Sequence, residues 1–285
     1  MRINQIKKSL SNSTFLIPTL LFFFFAVMYP FFSGFNIAFT NWDGISPKGE
    51  FIGLNNFINI FHDPDIIRPI RISVEYALLN TFFINLVALI LALGVTNAYR
   101  GRTIHRMIFF MPTALSSVLA IFIWNYIYGE VLPEIFGISN PIASMSTVIP
   151  AATLITVWGG CGVAMVIYIA ALSSVPTEMY ESAKVDGANA MHRLFKITLP
   201  LIMASFTINI TINFTSSLSS TGLFLVATGG GPAGSSESMG LYIYNNLFIY
   251  NRAGYGQALA YLFLLIVVIS GVVLSTIFRK REVEM

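Results

Sequence analysis

Six apolar segments, each about 20 to 30 residues long, leave this chain little choice but to fold inside a membrane. They run Phe15–Thr40, Tyr76–Tyr99, Met107–Tyr128, Pro150–Leu172, Thr198–Thr228 and Ala253–Phe278. About 20 apolar residues in a helix cross a hydrocarbon core of about 30 Å, and longer runs do so with tilt. Charged residues are 10% of the chain, against about 25% in soluble domains. The sequence therefore predicts an all-α membrane protein, a polytopic bundle of six transmembrane helices over residues 15–278, between an N-terminal tail (1–14) and a C-terminal tail (279–285). The first apolar run follows MRINQIKKSLSNSTF and continues to Phe39. It is too long for a signal-peptide core of about 7–15 residues, so it is expected to be a retained first span.

Basic residues orient the bundle, because Lys and Arg are retained on the cytoplasmic side. Arg2, Lys7 and Lys8 precede the first span; Arg100, Arg102 and Arg106 follow the second; Lys184, Arg193 and Lys196 follow the fourth; Arg279, Lys280 and Arg281 follow the sixth. All four groups fall on one side of a six-span chain. On the other side Lys48, Arg68, Arg71 and Arg252 are diluted by acids such as Asp43, Glu50, Asp63 and Glu130. Both termini and the loop at 176–200 are thus expected in the cytoplasm.

No Asp, Glu, Lys or Arg falls within a span, and Glu75 stands at the edge of the second. Proton- and ion-coupled transporters keep such groups in the membrane for relays. Their absence argues for an outside energy source and an uncharged substrate. Cys161 is the one cysteine and falls in an apolar run, which excludes an internal disulfide and suits packing. His62, His105 and His192 lie in three separate loops and form no metal set. The net charge of +3 is small, and nucleic acid is not implied. H-E-x-x-H, G-x-S-x-G and G-x-x-x-x-G-K-[ST] are all missing, so neither catalysis nor nucleotide binding is expected of this chain.

The polar stretch PTEMYESAKVDGANAMHRLFKITLP, Pro176 to Pro200, interrupts the apolar pattern. Thr177 or Ser174 is placed to cap a short helix, with Glu178 and Glu181 in its first turns, where the dipole favours acids. Gly187 suits the left-handed residue that ends such a helix, and Asp186 tolerates the turn. A second short helix from Ala188 would set Met191, Leu194 and Phe195 on its apolar side. Pro200 fits the first turn of the following span. This reads as a helix-turn-helix on the membrane surface.

The spacing E-x-x-x-x-D-G-A at Glu181–Ala188, followed by Phe195, Ile197 and Pro200, resembles the EAA loop of permease subunits of binding-protein-dependent ABC importers. Ser182 stands where alanine is usual, and Ala204 where a second proline often follows. The loops GLNNF and TGGGPAGSSES and the segment GYGQALAYLFLL resemble the maltose-type sugar permeases, and the short tail RKREVEM resembles the first of the two permease types such importers use. The resemblance implies a cytoplasmic coupling helix, with Glu181, Ala183, Asp186, Gly187, Ala188, Phe195, Ile197 and Pro200 engaging a separate ATPase. It also implies a second permease subunit, two ATPase subunits that bind ATP and Mg, an extracellular or periplasmic solute-binding protein, and a bacterial cytoplasmic (inner) membrane. A secondary transporter of a neutral solute is the alternative.

The fifth span carries TINITINFTSSLSST, in which Asn209, Asn213, Ser216 and Ser220 recur at four, three and four. That spacing sets them on one helical face. Such a stripe either bonds helices together or faces a watery cavity that suits a sugar's hydroxyls. Trp124, Tyr126 and Trp158 offer faces for a sugar ring or anchor the interface.

Overall fold

The computed structural model describes residues 16–96 and 101–282. Phe15, Tyr99, the basic residues Arg2, Lys7, Lys8 and Arg100, and the last residues of the C-terminal tail lie outside that range. Twelve helices follow in order: α1 (Leu16–Ile37), α2 (Asn55–His62), α3 (Ile67–Thr96), α4 (Arg102–Phe110), α5 (Ser117–Phe136), α6 (Val148–Ser174), α7 (Thr177–Val185), α8 (Ala190–Leu201), α9 (Met203–Leu218), α10 (Gly222–Ala227), α11 (Met239–Phe248) and α12 (Ala253–Arg279). The described residues hold no sheet, only a single bridge between Thr40 and Phe51. Among the described residues five helices are long and apolar enough to cross a bilayer: α1, α3 with its leading turn, α5, α6 and α12. A sixth appears if α8 and α9, bent by 68° at their junction, count as one.

Two compact units make up the chain. The smaller comprises Met1–Asp63 and Ile243–Leu262. Here α1 exposes its apolar surface, as with Phe22 (75%) and Phe25 (74%), which suits lipid rather than water. The rings of Phe31 and Phe35 meet Tyr261 edge-on, at 5.2 and 5.3 Å. Beyond α1 the chain is pinned by buried Asn56, whose Nδ2 donates to the carbonyls of Ala38 (2.9 Å) and Thr40 (2.8 Å). In the same loop the Ser46 hydroxyl, then the backbone N–H groups of Ser46 and Ile45, pull the Asp43 carboxyl down to about 2.

The larger unit, Pro64–Tyr242 with Phe263–Met285, is built on α3 against α6. Their seam holds Ile84, Ala88, Ala92 and Val95 of α3 against Val157, Cys161, Ala164, Met165 and Tyr168 of α6. Lipid is as apolar as leucine, so helices associate by close packing, and small residues at the seam permit it. The third span is not the single run expected over 107–128. A tight turn at Met111–Ala114 separates α4 from α5, and Gly162 of α6 lets the break in. A Cβ on Gly162 would stand 2.7 Å from Thr113 Oγ1 and 3.0 Å from Phe110 Cα.

A proline precedes the bend between α8 and α9. Pro200 offers no N–H to the carbonyl four residues back, and its ring crowds that carbonyl. The backbone accommodates this with a wide π-turn over Leu194–Thr198 and then leaves helical geometry at Ile202 (φ −96°, ψ 14°). Ser205 closes the corner, donating from its hydroxyl to Ile202 O at 2.6 Å. The fifth span therefore ends at Leu218, not Thr228, and α10 is a separate short helix.

Candidate functional site

The stretch 176–200 folds as two short helices around a tight corner. α7 begins after Pro176 without a side-chain cap, in place of the cap expected from Thr177 or Ser174. Glu178 sits in its first turn and Lys184 in its last, each at the dipole end that favours it. Its end is a Schellman closure: Ala188 N–H bonds Ala183 O at 2.8 Å, and Gly187 N–H bonds Lys184 O at 3.1 Å. Gly187 takes φ +78°, and a Cβ there would meet nothing within 4 Å. Glycine is required by the backbone alone.

The second helix starts at Ala190, two residues later than expected, because Asn189 caps it. The Asn189 side chain accepts from His192 N–H at 2.8 Å. Arg193 Nη1 then donates to Ala188 O at 2.9 Å, which fixes the corner from the other side. Asn189 is an N-cap residue by type, and that signal was present in the sequence.

These contacts sort the loop residues by position. Asp186 and Gly187 form the exposed tip, and Val185 (88% exposed), Met191 (63%) and Phe195 (56%) leave apolar side chains on the open surface. Ala183 and Ala188 supply the closing bond. Ile197 and Pro200 are half-buried and belong to the π-turn and the bend. Glu181 is exposed and lies with Lys184 on the rim of a cavity of about 600 Å³ behind α7.

A second cavity, of about 540 Å³, opens among the Met111–Ala114 turn, α5, α6, the end of α9 and the chain that follows it. Its lining is mainly apolar but includes Thr113, Ser117, Thr156, Ser216, Ser220 and Thr221, and no charged residue. Thr113 Oγ1 is buried without a hydrogen-bond partner. The expected polar face thus divides. Ser216 and Ser220 reach this cavity. Asn209 is buried and donates to Ala164 O of α6 at 3.2 Å, and Asn213 donates to Asn209 O at 2.8 Å. Trp158 is not on this wall. It meets Trp124 edge-on at 5.9 Å beside a separate, apolar cavity lined by Leu91, Val157 and Cys161.

A chain of side chains that the spacing argument missed backs the polar wall. Tyr76 OH donates to Thr156 Oγ1 (3.1 Å), which donates to Asn80 Oδ1 (2.7 Å). Asn80 Nδ2 donates to Ser217 Oγ (2.7 Å), which donates to Asn213 O (2.6 Å). Three helices, α3, α6 and α9, are clasped by one asparagine. Asn80, one of two asparagines in the apolar run of α3, was its only signal. Among the described residues no group of three His, Cys, Asp or Glu is placed to hold a metal.

Comparison with known proteins agrees with this architecture. The chain is 32% identical to the probable starch degradation products transport system permease protein AmyD of Thermoanaerobacterium thermosulfurigenes, across 95% of this chain and 94% of that one. It is 26% identical to the multiple sugar-binding transport system permease protein MsmF of Streptococcus mutans, across 99% and 100%. Its fold is similar to a chain in the crystal structure of a bacterial ABC transporter involved in the import of the acidic polysaccharide alginate. There the TM-score is 0.83 at 21% identity, over 98% of this chain and 99% of that one. A family model for binding-protein-dependent transport system inner membrane components matches residues 84–281, which include the 176–200 loop and both helices that flank it. The chain belongs to the family of binding-protein-dependent transport system inner membrane components.

Proposed function

We propose that the chain is one permease subunit of an ABC importer, forming part of the pathway for a neutral sugar or oligosaccharide. The observation that carries this reading is the Schellman-closed loop at 176–200, with its acidic tip and exposed apolar rim, in a chain of this family. In this reading the loop is cytoplasmic and docks on an ATPase. Glu181, Asp186 and Gly187 set its geometry, Ala183 and Ala188 close it, and Phe195 gives apolar contact. Ile197 and Pro200 form the arm that carries the motion onward. Two ATPase subunits bind ATP and Mg, a second permease completes the pathway, and a solute-binding protein delivers substrate on the opposite face. The basic residues near both ends of the chain support cytoplasmic termini in this reading.

The uncharged cavity, with serine and threonine residues set in a mainly apolar wall, supports a neutral cargo that carries hydroxyls. Hydroxyls both donate and accept, as sugar hydroxyls require. The relatives named for starch degradation products and for multiple sugars point the same way. Ser216 and Ser220 lie on that wall; Asn209 and Asn213 support it from behind.

The test is affinity purification in mild detergent from the native host, followed by reconstitution of the purified complex with its binding protein. An ATPase and a second permease are expected to co-purify, and uptake of neutral oligosaccharides is expected to require ATP. Uptake driven by an ion gradient in the absence of ATP would overturn the reading in favour of a secondary transporter.

A further inference from the structure

The coupling helix α7 stands off the bundle. The cavity of about 600 Å³ behind it is walled by Leu93 and Thr96 of α3, Leu172 of α6 and Leu194 of α8. One side chain bridges this space. The hydroxyls of Tyr180, on α7, and Thr198, on α8, are 3.0 Å apart. Among the described residues it is the one side-chain hydrogen bond that ties α7 to another helix. Thr198 is buried, 5% exposed, and its Oγ1 also lies 3.3 Å from Arg193 O, to which it donates. With the Thr198 proton on Arg193 O, the Thr198 oxygen is left to accept from Tyr180.

The position of Thr198 gives the bond its mechanical meaning. It is the last residue of the π-turn, two before Pro200 and four before the corner at Ile202. Beyond that corner α9 carries Ser216 to the wall of the polar cavity. A displacement of α7 delivered through Tyr180 therefore reaches α8 just below its bend, at the end of a segment whose hydrogen-bond ladder is already widened. Pulling there moves the arm against α9 rather than merely shifting the surface loop.

We propose that the Tyr180–Thr198 hydroxyl pair is the link by which movement of the coupling helix is passed to the bent fifth span. Tyr180 is a positioning residue that acts through Thr198. The proposal rests on the reading of 176–200 as the ATPase-coupling loop.

The experiment uses the assembled importer and needs no knowledge of the cargo. Cys161 is replaced by alanine and Ser216→Cys is introduced as a reporter on the cavity wall. Its rate of modification by a maleimide is measured with and without ATP and vanadate, in the otherwise unaltered chain and with Tyr180→Phe, Thr198→Val or Thr198→Ser. The unaltered chain should change its labelling rate several-fold on trapping. Tyr180→Phe and Thr198→Val should lose most of that change while still retaining the ATPase and its trapped nucleotide, and the pair together should do no worse than either alone. Thr198→Ser, which keeps the hydroxyl, should behave as the unaltered chain. A full response in Tyr180→Phe or Thr198→Val overturns the link, and so does loss of the ATPase from Tyr180→Phe, which would make Tyr180 a docking residue. Should the unaltered chain itself retain no ATPase or show no response, the coupling-loop reading fails, and the link with it.

Discussion

At Gly187 a single dihedral angle decides whether the loop exists. Because no atom lies within 4 Å of a Cβ there, substitution tests the backbone without a steric confound. A non-glycine residue in the left-handed region costs about 1–2 kcal/mol, with asparagine tolerated best. Proline is held near φ −65°, so it excludes the observed +78° altogether. ATP-dependent uptake should fall in the order Gly, Asn, Ala, Pro, with Gly187→Pro inactive and the amount of protein in the membrane unchanged. Alanine transporting as well as glycine would show that the left-handed corner is dispensable. The sequence made this residue legible, since glycine after a polar helix has few other uses. It did not make Tyr180 legible, because nothing in the spacing says that a tyrosine hydroxyl will meet a threonine 18 positions later.

Helix contacts separate residues that periodicity grouped. Asn209, Asn213, Ser216 and Ser220 share a face only while the helix continues, and α9 ends at Leu218. What each does then depends on its neighbour: α6 for Asn209, the cavity for Ser216 and Ser220. Side-chain hydrogen bonds between membrane helices average about 0.6 kcal/mol and reach about 1.7. Asn80 makes two, at 2.7 Å each, and Asn209 makes one. Asn80→Ala should therefore destabilise the purified subunit by about 1–2 kcal/mol, and Asn209→Ala by about 0.6. Ser216→Val and Ser220→Val should leave stability unchanged and raise the KM for uptake. Thermal unfolding in detergent and uptake kinetics on the same preparations check both halves. A stability loss for the serines as large as for Asn80 would reverse the assignment.

Across the whole molecule, hydropathy revealed how much of the chain is apolar but not how it is broken. The tight turn at Met111–Ala114 and the corner at Ile202 both sit inside apolar runs, where a hydropathy average has no feature to register. Gly162 admits the first, and the second comes two residues after Pro200. The charge map needs no knowledge of packing, yet α3 begins at Ile67 rather than Tyr76 and α5 runs to Phe136 rather than Tyr128, so both take in charged residues that were expected outside the spans. Within α1, α6 and α9 there is no Asp, Glu, Lys, Arg or His. In α3, α5 and α12 the charged residues are Arg68, Arg71 and Glu75, in the first third of α3; Glu130 and Glu134, toward the end of α5; and Arg279, the last of α12. A charge carried across the membrane field couples to it by about 2.3 kcal/mol per 100 mV. With its charges confined to the outer parts of these helices, the bundle offers that field little to move, and a neutral cargo adds none. Uptake by the assembled importer in sealed vesicles should thus be the same at zero potential and at an imposed potential of about −100 mV, and should be unaffected by ionophores, provided ATP is present. A rate that climbs steeply with potential would mean that charge crosses with the cargo. In that event the energy would come from a gradient across the bilayer, and the loop at 176–200 would need a different partner.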